Sequence, residues 1–157
     1  MDAASELRQA HRTAALITSG LITSLVMCAV IASVFRMSHA PAEGAANLPA
    51  PQMSLVRYAA WIASGVAVVS LPGFRRVLLT RRPEETRQRA IARLTLATVA
   101  VGALAELPAI AGFVLVILGG LFLDFCLLGS LSLALLLANA PRYDAWEAWL
   151  ATPAPRP

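Results

Sequence analysis

Lysine is missing from this sequence altogether: its thirteen basic residues are all arginine, a bias of genome composition that carries no functional message. Charge of either sign is sparse. Only 14% of the 157 residues are charged, against about 25% in a soluble domain. The two cysteines, Cys28 and Cys126, allow no disulfide framework, no Cys-x-x-Cys pair and no Cys/His metal cluster. Both lie in apolar runs and read as small core hydrophobes. The phosphate-loop, GxSxG, HExxH and dinucleotide-binding fingerprints are also lacking. The reading is therefore of a protein that is not an enzyme, with no catalytic, metal or cofactor-binding residues, no cofactor and no nucleic-acid partner.

What the chain has in excess is apolar residues, 58% of the total, gathered into long runs. A helix needs roughly 20 residues to cross about 30 Å of hydrocarbon. Four windows approach or exceed that length: 13–35, 58–74, 94–118 and 121–139. Lipid offers no partner to a backbone N–H or C=O, so each run must satisfy its own as a helix. The alternating polarity of a β-barrel strand is not seen. The expected fold class is all-α, a polytopic membrane protein with a bundle of about four transmembrane helices over 1–142 and a tail over 143–157.

Local signals set the boundaries. The run 14–35 is longer than the 7–15 apolar residues of a cleaved leader, so a retained helix is expected. Pro72-Gly73 predicts the end of the second span, and Gly119-Gly120 a tight turn between the third and fourth. Pro83, with Glu84 and Glu85 behind it, predicts a helix start near 84: proline suits the first turn and acids suit the positive end of the dipole. Orientation follows from arginine placement. The N-terminus, the 75–93 loop and the tail share one side and hold eleven of the thirteen arginines; Arg36 and Arg57 face the other. Both termini are thus expected in the cytoplasm, with the chain in a bacterial inner membrane. Tyr143, Trp146 and Trp149 read as an interfacial anchor.

Glu106 is the main functional pointer. It lies twelve residues from each end of the 94–118 window, near the bilayer midplane. An ionised carboxylate there costs at least about 2.5–3.5 kcal/mol, so a protonated acid is expected. On a helical wheel Gly102, Ala105, Ala109 and Gly112 fall on its side and Leu115 on the far side. Small residues at this spacing predict a helix-packing face. Pro108 lacks an N–H and frees the carbonyl of Leu104, a candidate acceptor. Glu106 could bind a proton or cation, or could only join helices through a hydroxyl such as Thr18, Thr23, Ser24, Ser64 or Ser130. Asp124 is expected to pair with Arg36 or Arg57 near the outer surface. His11 and His39 read as surface residues, and the arginine-rich loop as an orientation signal that could also meet anionic lipid.

Two stretches carry a resemblance. Ala103-Leu104-Ala105-Glu106, with Gly112 six residues on, resembles the second helix of the ATP synthase c subunit, and Arg81-Arg82-Pro83-Glu84 resembles that family's polar loop. The resemblance implies a proteolipid-like hairpin engaged in ion transport, with Glu106 carrying a proton or sodium ion and the loop facing the cytoplasm. Expected partners are the lipid bilayer, other membrane subunits and copies of the chain itself.

Overall fold

The computed structural model describes residues 3–38, 45, 49–80 and 85–152. The apolar runs become five helices: α1 (Ala3–Ser38), α2 (Ala50–Leu79), α3 (Arg87–Gly119), α4 (Phe122–Ala138) and α5 (Tyr143–Ala151), with no strand among the described residues. The protein is all-α. By length and composition α1, α2 and α3 can each cross a membrane; α4 makes a fourth span when joined to α5, from which it is bent by 50°. With 36, 30 and 33 residues the first three run about 45–54 Å at about 1.5 Å per residue. They therefore project beyond the hydrocarbon at their ends.

Two boundaries depart from the sequence reading. α2 does not stop at Pro72-Gly73 but continues to Leu79, with Pro72 inside it. One proline removes one helical hydrogen bond, and a packed membrane helix tolerates that loss. α3 begins at Arg87, not near Glu84, and Thr86 sits at its N-cap in extended backbone (φ −65°, ψ 150°) without a side-chain cap bond. Residues 81–84, which carry the polar-loop resemblance, lie outside the described residues, as does His39.

α3 is the central element, contacted by α1, α2, α4 and α5. The buried side of α1 follows a seven-residue repeat. Leu7, Ala14, Leu21, Cys28 and Phe35 form one row and His11, Thr18, Leu25 and Ala32 the other, each buried or half-buried. That 3.5-residue period keeps one seam against α3 along the whole helix, as in shallow left-handed packing. Leu25, Leu71, Val101, Ala105, Ala109 and Leu136 then bring four helices into one core.

The α3–α4 hairpin is the closest contact. Gly120 holds the turn in the left-handed region at φ 66°, where only glycine sits without strain. A side chain on Gly112 would put its Cβ 2.9 Å from the Phe125 Cα and 3.2 Å from the Leu128 Cβ. Ala105 and Ala109, two turns and one turn earlier, are 0% and 1% exposed. Ser132 of α4 donates to the Ala105 carbonyl at 2.5 Å. Lipid tails are as apolar as leucine, so close backbone approach and interhelical hydrogen bonds are what hold such a pair together. Leu115, expected on the far side, is 0% exposed. Because α3 packs against several neighbours, its buried arc is wider than the small-residue face and is centred away from Glu106.

Candidate functional site

Glu106 sits on the flank of that arc. Gly102, Ala105, Ala109 and Gly112 are all buried, whereas Glu106 is half-buried. It faces the α1 side of the bundle, within electrostatic reach of Cys28. Nearby, Gly102 lies against the Leu21 side chain of α1, and Phe113 and Cys28 pack on the cluster of Ala32, Val116 and Phe125. Three of the five hydroxyls named as candidate partners are used elsewhere. Thr18 donates to the Ala14 carbonyl, Thr23 to Ser19 and Ser64 to Ala60, each four residues back in its own helix. Leu104 cannot help either: two residues along a helix is a turn of about 200°, which puts its carbonyl on the opposite flank. Among the described residues Glu106 has neither a hydrogen bond nor an ion pair.

A second carboxylate is engaged through one of its oxygens. Asp124 opens α4, where an acid meets the positive end of the helix dipole. Its Oδ1 accepts from Arg57 Nε at 3.1 Å and from Trp61 Nε1 at 2.8 Å. The two donors are one turn apart on α2 and so share a face. The Asp124 side chain is 4% exposed and that of Arg57 is 51% exposed. The pair thus reaches from the bundle to the surface. Arg36, the other candidate partner, instead places its guanidinium 4.6 Å above the Phe122 ring, a cation–π contact.

The opposite end of the bundle holds features that the sequence concealed. Arg93 pairs with Glu85 at 3.0 Å and donates to the Thr80 carbonyl. It thereby ties the start of α3 to the end of α2. The other Glu85 oxygen, Oε2, is buried without a hydrogen-bond partner. Residues 143–151 of the stretch read as a tail fold as α5, and Trp146, read as an interfacial anchor, is 6% exposed in a cluster with Leu7, Ala14, Ile91 and Leu94. His11, read as a surface residue, is half-buried, 3.2 Å from the Pro141 carbonyl. Its ring meets Tyr143 and Trp146 edge-on at 5.5 Å and 5.6 Å. Only its place in the α1 heptad rows could have signalled this. Cys126 is exposed and Cys28 half-buried, so the first is not a core residue.

A cavity of about 330 Å³ opens at this end, walled by α2, α3, α4 and α5; its polar and aromatic lining includes Arg75, Thr98, Asn139, Arg142, Trp146 and Trp149. Arg75 reaches across it to the Asn139 Oδ1 at 3.3 Å. Among the described residues no group of three His, Cys, Asp or Glu side chains is arranged to hold a metal ion. Comparison with known protein families, with curated proteins and with solved structures finds no match.

Proposed function

We propose that this protein is a non-enzymatic subunit of a membrane assembly, and that Glu106 is the polar group through which it joins a transmembrane helix of another copy or another chain. The observation that carries this reading is the position of Glu106: mid-helix, half-buried, on the flank of the α1–α3 seam, with no hydrogen-bond or ion-pair partner among the described residues. A carboxyl group facing lipid at that depth is costly even when neutral, and a hydroxyl, amide or carbonyl from a neighbouring helix removes the cost. Ile110, one turn beyond Glu106 and 48% exposed, should lie in the same contact. In a chain without Cys28 and Cys126, cysteine at 110 should cross-link in membranes to a second copy or to another chain. Cysteine at Val69, 81% exposed on α2, should not. Equal cross-linking at both positions would remove the assignment.

The competing reading makes Glu106 a proton or cation carrier in a c-subunit-like hairpin. The two separate on one substitution. Glu106→Gln keeps a hydrogen-bonding side chain and should preserve assembly. A carrier would lose proton or ion binding in that variant while its assembly stayed intact.

The membrane in question is proposed to be a bacterial inner membrane, with both termini in the cytoplasm. Arginine placement supports this, with eleven of thirteen on the side of the termini. Reporter fusions after Ala46 and after residue 150 should read outside and inside respectively. A cytoplasmic signal from the first would invert the arrangement.

A further inference from the structure

We propose that the cavity between the ends of α2, α3, α4 and α5 is a binding site for one anionic glycerophospholipid of the adjoining leaflet, its phosphate held by Arg75 and Arg142.

Depth is the first support. Arg57 and Arg75 lie on the same helix, 18 residues apart, which is about 27 Å at 1.5 Å per residue. That nearly matches the roughly 30 Å thickness of bilayer hydrocarbon. With Arg57 engaged at the Gly120 end of the bundle, Arg75 therefore stands at headgroup level on the other side.

Charge is the second. Both cations line the cavity, and among the described residues no Asp or Glu does. Arg75 gives one hydrogen bond to Asn139, which leaves most of its five N–H donors for a ligand. Arg142 is exposed in the break between α4 and α5. Guanidinium groups bind phosphate oxygens in a planar, paired fashion that lysine cannot reproduce.

The third support is the rest of the wall. Leu79, Leu94, Ala97, Val101 and Ala138 line the cavity beyond the arginines. A free phosphate ion has no use for this apolar surface, but an acyl chain does. Its volume of about 330 Å³ falls in the range of about 300–1,000 Å³ usual for ligand sites. α2 and α4 lean on α3 more than on each other, so the cleft between them is open to a chain entering from lipid.

The test titrates the purified full chain in detergent with short-chain phosphatidylglycerol, read by native mass spectrometry. One lipid per chain should bind saturably, and phosphatidylcholine of the same chain length at least tenfold more weakly. Replacing both cations (Arg75→Ala with Arg142→Ala) should lower phosphatidylglycerol affinity by roughly thirtyfold, about tenfold or less for each arginine. Ala138→Phe narrows the apolar wall with both arginines in place, and it too should weaken binding. Helical content and melting temperature, measured on the same samples, should match the parent, because these three side chains are exposed. Indifference between the two lipids, or parent-like binding by the double variant, would overturn the proposal. Displacement of the lipid by inorganic phosphate at equal affinity would show a site for free anions and would also overturn it.

Discussion

Gly112→Leu should disrupt the α3–α4 hairpin more than any other single change in the bundle. The new Cβ alone would stand 2.9 Å from the Phe125 Cα, and a backbone atom cannot rotate aside as a side-chain tip can. Overpacking a tight core usually costs about 1–3 kcal/mol; here the upper end or more is expected, since α4 must move bodily. Its displacement would also pull Ser132 from the Ala105 carbonyl. Gly112→Ala should show a weaker form of the same effect. Gly65→Ala is the control. Its Cβ would meet nothing within 4 Å, and alanine is the better helix former by about 0.5–1 kcal/mol, so that variant should be neutral or slightly stabilised. Denaturant titration of the detergent-solubilised protein, followed by helical signal, gives the comparison.

Arg57→Ala should be the next most damaging substitution. Asp124 is buried at 3% exposure, and removing its cation leaves a buried carboxylate with only the Trp61 N–H beside it. Breaking one side of a buried pair typically costs about 3–5 kcal/mol. The half-exposed arginine and the surface position of the pair put this case near the lower figure. The reverse change, Asp124→Asn, should be milder. An amide can still accept from Trp61, and Arg57, 51% exposed, can turn to water. If Asp124→Asn proves the worse of the two in the same unfolding assay, the carboxylate is not the group that burial penalises.

Features with a single physical cause were legible in the sequence. Gly119-Gly120 is the one glycine pair in the apolar stretch after residue 94, and the turn falls there. Asp124 and Arg57 were named together because few charges occupy that depth, and they do pair. Other features depended on what packs where, which a sequence does not state. The wheel of α3 was centred on Glu106, and Leu115 was misplaced because several helices, and not one, cover the opposite arc. Pro72 reads as a stop, but neighbouring packing carries the helix through it. A tryptophan that faces lipid and one packed inside the bundle have the same composition around them, so the burial of Trp146 was not legible, nor that of His11. Among the described residues the hydroxyl that crosses between helices is Ser132, not Ser130: the choice is set by the rotation of α4 about its axis, to which a helix apolar on nearly every side gives little clue.

The account turns on whether Glu106 meets a helix from outside its own chain. The most direct measurement is the mass of the particle extracted in mild detergent, compared for the parent, Glu106→Gln and Glu106→Leu. Parent and Gln variant should run as the same assembly, larger than one 16.6 kDa chain with its detergent. The Leu variant should fold but dissociate. A monomeric parent without co-purifying chains, or a Leu variant that assembles like the parent, would contradict the proposed role of Glu106.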